Sequence, residues 1–178
     1  MKYVVLLRGV NVGGNNKVSM SELKRLFEKR GFLNVQTYLN SGNIVFESGV
    51  DNVDSLKMIC ETIIANAFGL NIAVVVVSGA ELSETLKHAP DWWNNDERAK
   101  HNAIFVIPPA DTKEIFEQVG ECRLEFEKVA AYGRIIFWSA PLVTFSRARW
   151  SKIVGTQAYN KVTIRNASTT INLSKLAN

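Results

Sequence analysis

The residues best suited to chemistry lie in one stretch near the amino terminus. Residues 6–17 read LLRGVNVGGNNK, so an apolar run ends at Arg8 and continues into a loop of glycine and asparagine that closes on Lys17. Glycines such as Gly13 can adopt positive φ and bring backbone N–H groups close to a ligand, while the two cations supply charge. This combination is typical of an anion-binding loop.

An architectural interpretation of the same stretch stays open. In it Arg8 ends a strand, the glycines form a turn, and side chains such as Asn11 satisfy backbone groups. A long polar loop without secondary structure of its own, inside a compact domain, favours a functional role. The pattern is not a P-loop, because no Gly-Lys-Ser/Thr follows the glycines, and this argues against nucleotide hydrolysis.

The elements that must position this loop follow the order β-α-β-β-α-β. The hydrophobic periodicity and turn residues predict a strand at Lys2–Leu7, a helix from Ser19 to Gly31, strands at Val35–Leu39 and Ile44–Phe46, a helix at Asp54–Phe68 and a strand at Ile72–Val77. This order is that of a ferredoxin-like unit, which we assign to residues 1–80.

In a ferredoxin-like sheet all neighbours are antiparallel and the first strand ends beside the start of the third. The glycine loop, the amino end of the first helix and the Asn40–Asn43 turn are therefore expected at one edge. Helix amino ends favour anions, which strengthens the prediction of a polar pocket there. Tyr38 is either a core aromatic or a phenol that reaches the ligand. The predicted ligand-binding residues of this edge are Arg8, Asn11, Gly13, Lys17, Tyr38, Ser41 and Asn43.

Residues 81–178 predict a second α+β unit. An irregular junction at Ala89–Asp96 is followed by the order βαββ, a basic helix from about Ser146 to Ile153 and a last segment from Thr163 to Leu176. The predicted fold class is therefore α+β, with a ferredoxin-like amino-terminal half and a second, degenerate ferredoxin-like half.

Charge is distributed unevenly along this second part of the chain. The whole protein has a net charge of +4 and a pI near 9.1. Residues 81–128 contain eleven acidic and six basic side chains, giving −5, whereas residues 144–178 contain six basic and no acidic side chains, giving +6. A basic tail of this kind is suited to face an anionic partner.

Several classes of protein are disfavoured by the sequence. No stretch has the length of a membrane span and the amino terminus lacks a signal-peptide pattern, so we expect a cytoplasmic protein without membrane association. Cys60 and Cys122 are expected to be buried free thiols, and His88 and His101 to have surface or junction roles. No metal ligands or acid–base residues accompany the predicted pocket, and the sequence specifies neither a cofactor, a catalytic residue nor an oligomeric state.

The glycine loop resembles the signature of a known family. Residues 6–14, the following Asn16-Lys17-Val18, and residues 37–46 (TYLNSGNIVF) resemble the domain of unknown function 1697 family. Near the carboxyl terminus, residues 163–170 resemble that family's closing Thr-x-Arg-Asn-x-x-Thr motif, although Ala167-Ser168 stands where members commonly carry Trp-Asn. The resemblance implies an α+β protein with two related ferredoxin-like halves and implies almost nothing about activity.

Arg165 and Asn166 of the closing motif have two interpretations. They begin the last helix, with Asn166 as its N-cap, or Arg165 folds back and adds positive charge to the Arg8 pocket. Taken together, the sequence favours an anion-recognition protein that binds a phosphorylated small molecule or nucleic acid at the edge formed by Arg8–Lys17 and Asn40–Asn43. The alternatives are an enzyme acting on a phosphorylated or carboxylated metabolite and a non-catalytic adaptor.

Overall fold

The first sheet is built around strand β1 (Lys2–Leu7), whose unbroken apolar run is buried on both faces. The computed structural model describes all residues, 1–178. Strand β1 pairs antiparallel with β3 (Asn43–Glu47) and with β4 (Val74–Ser78), and β2 (Leu33–Thr37) extends the sheet beyond β3. The resulting order is β2-β3-β1-β4. Because Leu6 pairs with Asn43, the end of β1 lies beside the start of β3.

Two helices cover one face of this sheet. Helix α1 (Met20–Lys29) begins at Ser19, whose hydroxyl accepts a hydrogen bond from the Glu22 N–H, and helix α2 (Val53–Phe68) is capped in the same way by Asn52. Their apolar stripes pack on alternate residues of the strands, in a core that includes Tyr3, Val5, Leu23, Phe27, Phe46, Leu56 and Ile64. A third helix, α3 (Gly79–Lys87), follows β4 directly.

The second sheet has the same relative order. Its strands are β5 (Ala99–Val106), β6 (Lys128–Tyr132), β7 (Ile135–Pro141) and β8 (Val162–Asn166), arranged β6-β7-β5-β8 with antiparallel neighbours. Helix α4 (Thr112–Val119) connects β5 to β6, and helix α5 (Ala167–Leu176) follows β8. The protein is thus α+β, with two four-stranded antiparallel sheets and helices.

The prediction of a basic helix from about Ser146 to Ile153 is wrong. Three 3-10 helices, Leu142–Arg147, Trp150–Gly155 and Gln157–Lys161, connect β7 to β8 instead. The cause is the buried carboxylate of Glu127, which accepts hydrogen bonds of 2.9 Å from the backbone N–H groups of Arg149 and Trp150. In an α-helix over residues 146–153 the Trp150 N–H would pair with the carbonyl oxygen of Ser146, but it is bound to Glu127, and the chain is extended at Ala148 (ψ 137).

The chain folds as two compact units. Unit 1 contains residues 1–83 together with residues 172–178, and unit 2 contains residues 84–171. The division into domains at residue 80 stays a prediction. No helix combines the length and the hydropathy needed to cross a membrane.

Both cysteines are free thiols. Cys60 is fully buried on α2, and burial raises the pKa of its thiol to about 12, so it is neutral at physiological pH. Cys122 is only half-buried, which differs from the burial expected from its apolar surroundings.

Candidate functional site

The glycine loop is a small hairpin. The Asn11 N–H donates to the carbonyl oxygen of Asn16 (3.2 Å), and inside this pair the Asn15 N–H donates to the carbonyl oxygen of Val12 (3.1 Å). Gly13 (φ 59) and Gly14 (φ 79) occupy the two central positions of the turn. Positive φ at both positions defines a type I′ turn, for which glycine is favoured. The loop contains no helix or strand, as expected, and only an isolated β-bridge joins Val12 to Asn15; we call residues 11–16 the small hairpin.

Asn11 fixes the small hairpin to two other segments. Its side-chain amide donates to the carbonyl oxygens of Val18 (2.9 Å) and Asn40 (2.8 Å), and its Oδ1 accepts from the Val18 N–H (2.9 Å). Val18 lies just before α1, and Asn40 lies in the turn between β2 and β3. One asparagine side chain thus joins the three segments expected to converge at this edge.

The turn between β2 and β3 packs tightly against the end of β1. The Leu7 N–H donates to the carbonyl oxygen of Gly42 (2.8 Å). A Cβ atom added to Gly42, whose φ is 78, would lie 2.5 Å from Val10 Cγ2 and 2.7 Å from Leu7 Cβ. Only glycine fits this contact, so the turn is held against the base of the glycine loop.

An open groove of about 800 Å³ lies at this edge of unit 1. The small hairpin contributes Asn11 and Gly14, and Lys17 stands at the rim. The lining is completed by Asn40 and by the first turn of α1, where Ser19 caps Glu22 and leaves the N–H groups of Met20 and Ser21 as free donors. The other lining residues are Val18, Glu22 and Phe68.

The predicted site residues of unit 1 occupy different places around this groove. Asn11 and Lys17 line it. Gly13 is exposed at the tip of the small hairpin, and Arg8 is half-buried where β1 ends, with its N–H donating to the carbonyl oxygen of Ala73 (3.0 Å). Sequence reasoning missed Glu22 and Phe68 as lining residues, because their positions depend on how α1 and α2 pack.

Three other predicted residues are engaged within the fold. Asn43 is fully buried, and its side-chain amide donates to the Tyr38 carbonyl oxygen (2.8 Å) and to Ser41 Oγ (3.0 Å). The Tyr38 hydroxyl accepts a hydrogen bond from the Asn172 side chain (2.8 Å). Asn43 and Tyr38 therefore hold the β2–β3 turn and the last part of α5 in place.

Arg165 and Asn166 belong to unit 2. The Asn166 side chain accepts from the Thr169 N–H (2.8 Å), so it caps α5 as predicted. Arg165 is buried and donates to Thr163 Oγ1 (2.9 Å) and to the Ile164 carbonyl oxygen (2.8 Å). Burial lowers the pKa of its guanidinium to about 10, so the group stays charged at neutral pH. A contribution of either residue to the Arg8 site stays a prediction.

The charged residues of the basic tail have distinct roles in unit 2. Lys161 forms an ion pair with Glu114 of α4, and the Arg147 guanidinium lies over the Phe126 ring, 5.6 Å from its centroid. Arg149 and Lys152 are exposed. Across the molecule, no three His, Cys, Asp or Glu side chains cluster as a metal site would require.

Comparison with known proteins places the chain in a family. No curated protein matches it in sequence. A conserved bacterial protein from Streptococcus pneumoniae has a similar structure, with a TM-score of 0.89 and 30% sequence identity over 99% of this chain and 98% of that one. Residues 1–137 match the profile of a family described as Protein of unknown function (DUF1697). The profile covers the small hairpin, the β2–β3 turn and the groove between them, and the chain belongs to this family.

Proposed function

We propose that unit 1 recognises an anionic ligand, through its phosphate group, at the groove between the small hairpin and α1. The observation that carries this proposal is the side chain of Asn11, which brings the glycine turn, the start of α1 and the β2–β3 turn to one open groove with Lys17 at its rim. The phosphate belongs to a small molecule or to a nucleic acid.

The chemistry of the groove suits a phosphate. The free N–H groups of Met20 and Ser21 lie at the positive end of the α1 dipole, and Lys17 adds a full charge next to them. Glu22 opposes an anion, because its carboxylate lies in the same first turn. The favourable ligand is therefore one whose phosphate sits on the Lys17 and Gly14 side of the groove.

We further propose that both units are ferredoxin-like and that the chain is a degenerate duplication located in the cytoplasm. The equal strand orders, β2-β3-β1-β4 and β6-β7-β5-β8, support the duplication. The 3-10 helices of unit 2 occupy the position that α2 occupies in unit 1, which is where the two copies would have diverged.

Binding to fluorescent mixed-sequence oligonucleotides and to a set of phosphorylated metabolites tests the site. Lys17→Gln is expected to weaken binding about tenfold, because it removes one charge-assisted contact. For a nucleic acid, the negative slope of log K against the logarithm of the salt concentration should also become shallower, by about one. Lys29→Gln is the control, since Lys29 is an exposed lysine in the last turn of α1, at the opposite end of that helix from the groove.

Three outcomes separate the candidate functions. Equal affinity of the two lysine variants, or no binding of any phosphorylated compound at low salt, would refute anion recognition. Retention of oligonucleotides alone identifies a nucleic acid, and competition by a metabolite identifies a small molecule. Conversion of a bound metabolite would identify an enzyme instead.

A further inference from the structure

A serine and a histidine face each other across two strands of unit 2. His101 of β5 is paired in register with Ser139 of β7, and Ser139 is paired on its other side with Lys128 of β6. These three residues form one row across the sheet, on the face opposite the core that contains Trp138. His101 Nδ1 lies 2.5 Å from Ser139 Oγ.

The second ring nitrogen of His101 fixes the direction of this hydrogen bond. His101 Nε2 lies 2.8 Å from the backbone carbonyl oxygen of Asp96, which can only accept. In the neutral imidazole the proton is therefore on Nε2, so Nδ1 accepts the proton of the Ser139 hydroxyl. This is the arrangement of a serine nucleophile with its general base, the base being oriented by a third group.

The pair lines a cavity of about 330 Å³. Its wall is mixed: Trp92, Leu124, Phe126 and Pro141 supply apolar surface, and Lys128 lines the same cavity as Ser139. Leu124 is 82% exposed, so this wall is open to a ligand from solvent. Three acidic residues, Asp96, Glu125 and Glu127, also line the cavity and disfavour an anionic acyl group.

We propose that this cavity hydrolyses small uncharged esters, with Ser139 as nucleophile and His101 as general base. Ser139 Oγ attacks the carbonyl carbon while its proton passes to His101 Nδ1, and the Lys128 ammonium stabilises the oxyanion. The bond from the carbonyl carbon to the alkoxy oxygen breaks, and His101 returns the proton to the leaving alcohol. Water that loses a proton to His101 then attacks the acyl-serine, which releases the acid and restores the hydroxyl.

This proposal is independent of the groove in unit 1, since all of its residues belong to unit 2. It is tested on the full chain with a fluorophosphonate probe, with the labelled residue located by mass spectrometry, and with p-nitrophenyl acetate. We expect the probe to label Ser139. Ser139→Ala should lose both labelling and ester hydrolysis. In His101→Asn the rate of labelling and the rate of ester hydrolysis should each fall about 100-fold. Ser146→Ala, which removes an exposed serine of the same unit, should match the unchanged protein.

The proposal is overturned if the folded protein is not labelled at Ser139, or if Ser139→Ala hydrolyses the ester as fast as the unchanged chain. A circular dichroism melt of each variant shows whether it is folded. Ser139→Ala removes only one hydroxyl, so it decides the question even if His101→Asn does not fold. A purely structural Ser139–His101 hydrogen bond would change the melting temperature and leave no labelled serine.

Discussion

Polar side chains at the edge of unit 1 divide into those that bind the protein itself and those that remain available. Asn43 and Tyr38 use their side chains to hold the β2–β3 turn and α5, whereas Lys17 is exposed at the groove. Asn11 does both, because its amide joins three segments while the residue also lines the groove. Ligand recognition at this edge therefore depends on an asparagine whose first role is structural.

Replacing Asn11 by alanine should destabilise unit 1 by about 2 kcal/mol. The change removes four side-chain hydrogen bonds, of which the three shorter ones each have a net contribution of about 0.5 to 1.5 kcal/mol, and it places alanine at a positive φ of 54. A fall of roughly 4 to 8 °C in melting temperature is expected for a chain of this size. Thermal unfolding followed by circular dichroism measures it.

The control for this prediction is Asn15→Ala, an exposed asparagine of the small hairpin whose side chain makes no comparable bonds. This substitution should change the free energy of unfolding by no more than about 0.5 kcal/mol. Equal melting temperatures for the two variants would show that the Asn11 side chain does not hold the three segments together.

At the scale of elements, the small hairpin positions the groove with only four turn residues. Its type I′ turn needs positive φ at Gly13 and Gly14, and Asn11 and Asn16 on either side also have positive φ (54 and 47). Glycine and asparagine adopt this conformation at the lowest cost. The repeated Gly and Asn of the sequence are thus explained by backbone geometry before any ligand is considered.

Gly14→Ala is expected to cost about 1 to 2 kcal/mol, because alanine at φ 79 is strained although no atom lies within 4 Å of the added Cβ. Gly49→Ala provides a matched control, since that site is equally open and its φ is not in the left-handed region. The control should be neutral or stabilised by up to about 1 kcal/mol. Chemical denaturation measures the free energy of unfolding of each variant. A Gly14→Ala variant as stable as Gly49→Ala would contradict the assignment of the type I′ turn.

Element order and most boundaries could be predicted from local patterns. The bounds of β1 agree with the sequence, and Ser19 and Asn166 cap the helices assigned to them. Strand β2 ends at Thr37 rather than Leu39, because Leu39 has a φ of 57 and turns away from the sheet.

The features that could not be predicted depend on residues far apart in the chain. Glu127 replaces a basic helix with 3-10 helices by binding N–H groups 22 and 23 residues later. The pairing of His101 with Ser139 spans 38 residues and follows from strand register alone. Local periodicity carries no information about either contact.

At the scale of the whole molecule, the two ends of the chain belong to the same unit. Residues 172–178 complete unit 1, where Lys2 Nζ donates to the carbonyl oxygen of Asn178 (2.7 Å) and Asn172 binds the Tyr38 hydroxyl. Gly79 allows the backbone of Ala177 to pack directly against it, since an added Cβ would lie only 2.1 Å from the Ala177 carbonyl oxygen. Leu173 is fully buried in the same segment.

Deleting residues 172–178 should destabilise unit 1 selectively. The loss of a buried leucine and of the terminal hydrogen bonds is expected to cost about 3 kcal/mol. Amide hydrogen exchange in β1–β4 should then accelerate roughly 100-fold, while exchange in β5–β7 stays unchanged.

Lys175→Gln replaces an exposed side chain of the same segment, so it should leave the rates of amide hydrogen exchange unchanged in both units. Equal acceleration of exchange in both sheets would contradict the assignment of this segment to unit 1.

Because residues 172–178 belong to unit 1, the unit whose synthesis begins first also needs the residues that are synthesised last. Strands β1 to β4 leave the ribosome first, yet their last partners appear only after residues 84–171 have been made. At about 5 to 20 residues per second, that interval lasts on the order of 4 to 18 s. Unit 1, whose strands are synthesised first, therefore lacks part of its sequence until the last residues of the chain have been made.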